Sequence, residues 1–161
     1  MRLVDPALFL KAVVREGVLQ EKNGLSLALE AGPLLPSMAP GEDGVGFEAT
    51  GIASGRLAPL TYHLNLGGGV TREDKRAFAA WGVITELTVV PSFRLVGEVN
   101  GGSVEDERAN NSALLGFIWQ PFASKRFWVD AGIRRGITRA APDWQATLGF
   151  TIGFDVFGKK R

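Results

Sequence analysis

The stretch Trp144-Gln145-Ala146-Thr147-Leu148-Gly149-Phe150-Thr151-Ile152-Gly153-Phe154-Asp155-Val156 alternates without a break. Trp144, Ala146, Leu148, Phe150, Ile152, Phe154 and Val156 are apolar, and every residue between them is polar or glycine. In a chain that is 45% hydrophobic, such a run matches a period of two by chance about once in ten thousand tries at a fixed position. Successive side chains of a strand point to opposite faces, so the run predicts a strand with one apolar face and one polar or small face.

Working upstream, the same period returns. Leu25, Leu27, Leu29 and Ala31 alternate with Ser26, Ala28, Glu30 and Gly32. Leu60, Tyr62, Leu64 and Leu66 alternate with Thr61, His63, Asn65 and Gly67. Trp81, Val83, Leu87 and Val89 oppose Gly82, Glu86 and Thr88, with Ile84 as the exception. Phe93, Leu95, Gly97 and Val99 oppose Arg94, Val96, Glu98 and Asn100. Ala113, Leu115, Phe117 and Trp119 form a weaker contrast with Ser112, Leu114, Gly116 and Ile118. Phe127, Val129, Ala131 and Ile133 oppose Trp128, Asp130, Gly132 and Arg134. Less regular strands are expected near Leu8–Leu19 and Val45–Gly55. About nine strands are predicted, and no helix.

The connections alternate in length. Those at 21–24, 56–59, 91–92 and 121–126 are short; those at 33–44, 67–75, 100–111 and 135–143 are long. An up-and-down meander sends alternate connections to the same end. Short turns at one end and longer loops at the other are the layout of a bacterial outer-membrane barrel. The expected fold is therefore all-β, an antiparallel up-and-down transmembrane β-barrel formed as one domain over residues 1–161. Nine is odd, whereas bacterial single-chain barrels carry an even number of strands. The chain is thus expected to be the C-terminal part of a longer barrel.

Composition narrows the chemistry. There are 18 Lys+Arg against 17 Asp+Glu, a net charge of +1, no cysteine and one histidine. Near-zero net charge argues against nucleic-acid binding, which needs a basic stripe. Thiolate zinc sites, cysteine nucleophiles and multi-histidine metal sites are excluded, so no metal and no cofactor is expected. The 21 glycines nearly double the roughly 11 that average usage would give. No apolar run reaches the ~18 residues of a membrane-spanning helix; the best, Trp81–Val90, contains Thr85, Glu86 and Thr88. Asp5, Pro6 and Lys11 interrupt any signal-peptide core. A signal peptide, if the protein is exported, is expected to have been lost by truncation.

The polar faces carry groups that need partners: Glu30, Glu48, His63, Asn65, Glu86, Arg94, Glu98, Asp130 and Arg134. In a small barrel such groups turn inward and pair across a narrow lumen. Trp81, Trp119, Phe127 and Trp144 sit near strand ends on the apolar faces, which suits an aromatic belt at a membrane–water interface. Glycines gather on the polar faces, where they relieve crowding. Aromatics filling the core of a soluble lipid-binding barrel are the rival reading.

Thr147, Gly149, Ile152 and Phe154 fit the pattern polar–x–Gly–x–x–hydrophobic–x–aromatic. This resembles the β-signal by which the barrel-assembly machinery recognises a last strand; an edge strand offers unpaired backbone groups to another sheet. Further short motifs run in order along the chain. They are Leu64-Asn65-Leu66-Gly67, Leu95-Val96-Gly97-Glu98, Ala113-Leu114-Leu115-Gly116, Asp130 to Gly136 (DAGIRRG), Ala141-Pro142-Asp143-Trp144 and the closing LGFTIGF. With them the C-terminal two-thirds resembles a family of proteobacterial outer-membrane barrels, usually described as transporters and as relatives of the phenol-degradation meta-pathway protein. The resemblance implies an outer-membrane location and passive transport of a small solute. The partners expected are outer-membrane lipid or lipopolysaccharide for the barrel and, from the resemblance to the β-signal, the assembly machinery during insertion.

Catalysis is not expected. A nucleophile–base pair needs a serine within hydrogen-bond reach of His63, and no local His-x-Ser pattern supplies one. Gly67-Gly68-Gly69-Val70-Thr71 before Lys75 lacks the Gly-Lys-Ser/Thr ending of a phosphate loop and is expected to be a flexible loop. Glu86, Glu98 and Asp130 with Arg94 and Arg134 admit two readings. Rings of charge select solutes in a pore; an internal ion-pair network instead plugs the lumen of a structural or adhesive barrel.

Overall fold

The computed structural model describes residues 6–37, 43–122 and 126–153. It contains β1 (Leu10–Arg15), β2 (Ser26–Leu34), β3 (Gly46–Leu57), β4 (Leu60–Val70), β5 (Ala77–Val90), β6 (Phe93–Val104), β7 (Asn110–Trp119), β8 (Phe127–Gly136) and β9 (Trp144–Ile152). A single 3-10 turn, Val18–Gln20, lies between β1 and β2. The strands form one sheet in sequence order, each antiparallel to the next. The sheet is not closed: β1 and β9 are its two edges. No helix among the described residues is long and apolar enough to cross a membrane.

Register follows from the turns. The two-residue connections Ala58-Pro59 and Pro91-Ser92 pair Leu57 with Leu60 and, past a bulge, Val90 with Phe93. Rungs of paired residues then cross the sheet. One rung runs Ser26, Ser54, His63, Ile84, Glu98, Leu114, Arg134 and Gln145. The neighbouring rung, pointing the other way, runs Leu27, Ala53, Leu64, Val83, Val99, Ala113, Arg135 and Trp144. The side-chain period of two carries this segregation through every strand.

The burial is inverted. Ala141, in the connection before β9, is the one buried apolar residue among those described. The buried polar residues are Ser26, Ser37, Ser54 and Ser112. Leu66 is 72% exposed, Leu115 70% and Leu148 68%. The polar face is thus concave and shielded, and the apolar face is convex and bare. From β2 to β9 the one charged residue on the convex face is Arg135.

Three expectations need correction. Gly67-Gly68-Gly69 belong to β4, opposite Thr50, Ala49 and Glu48, and are no loop. A Cβ at Gly69 would lie 1.8 Å from the Phe47 carbonyl oxygen, so close backbone approach requires glycine there. Likewise Asn100–Val104 continue β6 against Phe78–Gly82, which leaves only 105–109 as a connection. The first strand stops at Arg15, at a register shift, and residues 16–25 turn through the 3-10 segment and a left-handed Glu21. The two ends consequently differ less in loop length than the sequence suggests. One end has 16–25, 58–59, 91–92 and 120–126; the other has 35–45, 71–76, 105–109 and 137–143.

Candidate functional site on the concave face

Alternation places Glu30, Glu48, His63, Asn65, Glu86, Arg94, Glu98, Asp130 and Arg134 all on the concave face. They gather into two main clusters. In the first, Arg134 Nη2 reaches Glu98 Oε1 at 3.0 Å, two strands away, and Arg134 Nη1 donates to Ser112 Oγ at 2.9 Å. Ser112 donates to Asn100 Oδ1 at 2.7 Å, and Asn100 Nδ2 donates to Glu98 at 2.5 Å. The four side chains form a closed ring across β6, β7 and β8. Glu98 and Arg134 are each 19% exposed, and the ring satisfies the polar atoms that burial would otherwise penalise.

The second cluster lies nearer the short turns. Ser54 Oγ and His63 Nδ1 share a 2.8 Å hydrogen bond. His63 Nε2 is 3.5 Å from Glu86 Oε1, and Arg94 Nη1 donates to Glu86 Oε2 at 2.5 Å. A serine does lie within reach of His63, contrary to expectation, because the β3–β4 register sets Ser54 directly opposite it. The order Ser–His–Glu is that of a nucleophile, its base and an orienting acid. Ser54, however, is only 1% exposed, so its oxygen is closed to a substrate. The chain of contacts acts as a strap tying β3, β4, β5 and β6 together.

The remaining candidates are placed apart. Lys11 Nζ stands 3.6 Å from Glu30, and Thr50 donates to Glu48 at 3.3 Å. Asn65 lies on the concave face opposite Gly82. Asp130 joins neither cluster and has no ion pair among the described residues; a Cβ at its rung neighbour Gly149 would lie 2.4 Å from its carboxylate. No group of three His, Asp or Glu able to hold a metal occurs among the described residues.

The four belt residues all lie on the convex face, at two levels. Trp119 and Phe127 are at the short-turn end, where Phe127 stacks on Phe150 with ring centroids 6.1 Å apart. Trp144 is at the other end, with the Arg135 guanidinium 5.2 Å from its ring. Trp81 lies within β5, two rungs beyond the Trp144 level. Phe93 and Phe117, stacked at 5.6 Å, join the lower level and were not singled out from sequence. Trp128, by contrast, faces the concave side opposite Thr151. Of the assembly-signal residues, Thr147 and Gly149 face the concave side and Ile152 the convex side of the edge strand β9. Phe154 lies outside the described residues.

At the longer-loop end, residues 71–76 form a charged hub. The Arg76 side chain pairs with Asp74, with Glu107 at 2.7 Å and with the Glu105 carbonyl at 3.1 Å. Arg72 Nε donates to the Leu35 carbonyl at 2.8 Å. The Thr71 hydroxyl, donating to Asp74, and then Arg76 hold the Asp74 carboxyl below its ordinary range. Glu107 and Asp74 raise the Arg76 guanidinium above its own. Comparison with family models, curated proteins and solved structures returned no match for this chain.

Proposed function

We propose that the protein works in a bacterial outer membrane as a passive pathway for small polar solutes along its concave face. One observation carries this reading: shielded serines and ion pairs line one face, while leucines and aromatics stand bare on the other. A sheet with this burial has no apolar core to stabilise it in water, and lipid supplies the missing apolar solvent. Dimensions support it. From Phe127 to Arg135, β8 rises about 26 Å at roughly 3.3 Å per residue. A strand tilt of about 40° converts this to roughly 20 Å, close to the ~25 Å apolar band of membrane barrels. The aromatic residues at both levels suit the two headgroup regions, and Arg135 beside Trp144 reaches the polar edge. The family resemblance of the C-terminal two-thirds favours the same location and a transport role. On this reading the partners are outer-membrane lipid or lipopolysaccharide and the assembly machinery.

The ring of Glu98, Asn100, Ser112 and Arg134 favours a second reading, a plugged structural barrel. Planar-bilayer conductance separates the two: steps of current support transport, and a silent but inserted protein supports the plug. Heat-dependent mobility on a denaturing gel tests the membrane barrel itself. A protein that folds without detergent and shows no mobility shift would overturn both readings in favour of a soluble lipid-binding barrel.

A further inference from the structure

At the short-turn end of the concave face, two cavities share Thr88 and Arg94. One, of about 460 Å³, is bounded by Arg56, His63 and Glu86; the other, of about 220 Å³, by Gln120 and Trp128. The hydrogen-bonding account of this basin is unbalanced. Among the described residues Arg56 has no carboxylate partner, and its Nε donates to Thr61 Oγ1 at 3.4 Å. Arg94 uses one nitrogen on Glu86, and its other nitrogens have no hydrogen bond among the described residues. Gln120 Nε2 is buried beside the smaller cavity and has no hydrogen-bond partner among the described residues. Among the described residues that line the two cavities, the two guanidiniums of Arg56 and Arg94 face the single carboxylate of Glu86. Asp130, on the Arg94 rung, lines neither cavity.

We propose that this basin is a binding subsite for a small monocarboxylate with an apolar body. The carboxylate lies between Arg56 and Arg94, where a planar guanidinium matches it in two-pronged fashion. The apolar body rests against the Trp128 ring, which lines the smaller cavity. A guanidinium pair beside an indole ring suits a carboxylate with an apolar body better than a phosphate, which has no apolar part to set against the ring. The inference rests on the transport reading for its role in the cell, while binding itself is measurable without transport.

The test uses the full chain refolded in detergent, with Trp81, Trp119 and Trp144 changed to Phe so that fluorescence changes on titration report chiefly on Trp128. The probes are butyrate, butyramide and inorganic phosphate. Butyrate is expected to give a saturable change, butyramide none, and phosphate binding at least tenfold weaker than butyrate. Arg94→Gln and Arg56→Gln are each expected to weaken butyrate at least tenfold; the Arg56 variant keeps the Glu86 pair intact and guards against misfolding. No saturable response to butyrate, an equal response to butyramide, tighter phosphate binding, or unchanged affinity in Arg56→Gln would overturn the proposal. Butyrate binding in a conductance-silent protein sinks transport alone; conductance without butyrate binding sinks the subsite alone.

Discussion

Replacing Leu115 with arginine separates a lipid-facing strand from a water-facing one. Leu115 stands in the middle of β7, 70% exposed, on the convex face below Ala113 and above Phe117 and Trp119. Along a strand rising about 3.3 Å per residue and tilted about 40°, it lies roughly 10 Å from the Trp119 level, near the centre of a ~25 Å apolar band. An arginine at the bilayer midplane costs about 2–4 kcal/mol of unfolding free energy. In water the outcome differs. Only about a third of the leucine is covered, so losing it and exposing a charge costs less than ~1 kcal/mol. The assay is urea unfolding of the refolded protein in phospholipid vesicles, comparing wild type with Leu115→Arg and Leu115→Ala. The arginine variant is expected to lose about 2–4 kcal/mol and the alanine variant clearly less. A Leu115→Arg protein as stable in vesicles as the wild type would refute the assignment of the convex face to lipid.

Three further outcomes follow from the same geometry. In single-tryptophan variants, brominated lipid is expected to quench Trp119 and Trp144 and to leave Trp128 largely untouched; strong quenching of Trp128 would put the wrong face against lipid. Glu98→Gln and Arg134→Gln each break a shielded pair and are expected to destabilise by about 1–3 kcal/mol, with the double variant falling short of the sum. Additive losses in that cycle would mean the ring of hydrogen bonds is not a unit. Asp74, whose pKa is depressed by Thr71 and Arg76, contributes order to loop 71–76 that is present above its unfolded pKa. That order is lost as pH falls through the lower folded value. The protection factors of amides in this loop, which divide out the intrinsic pH dependence of exchange, should therefore fall on acidification below pH ~4, and Asp74→Asn should abolish that fall; protection unchanged down to pH ~2 would contradict the pairing.

Strand content was legible wherever polar and apolar residues alternate cleanly, as in β9, because face segregation is written in period two. The face of each charged candidate followed from the same parity. What alternation does not encode is where a strand stops. Gly67-Gly68-Gly69 read as loop because glycine carries no side chain to show a face, yet its bareness is what lets β3 and β4 approach. The Ser54–His63 contact was hidden for a related reason. It depends on register, which a one-residue error in the turn destroys. The signal was present: Ala58-Pro59 as a two-residue turn pairs Leu57 with Leu60, and counting three places back on each side lands on Ser54 and His63. The ring around Arg134 spans three strands, so no single turn could have revealed it. Parity sets Trp128 opposite the apolar face of β8, but its place beside a cavity shared with Arg94 depends on packing across several strands.

The inverted burial also fixes which positions can vary. On the convex face, exchanging Leu66 or Leu148 for another apolar residue changes little more than the lipid chain it touches. Inside, Ser54, Ser26 and Ser112 are buried and hydrogen-bonded to their neighbours, where overpacking by an added methylene is costly. Sequence drift is thus expected to be free in apolar size and restricted in hydroxyl size. In this protein the small serines, rather than the leucines, are the residues that hold their dimensions.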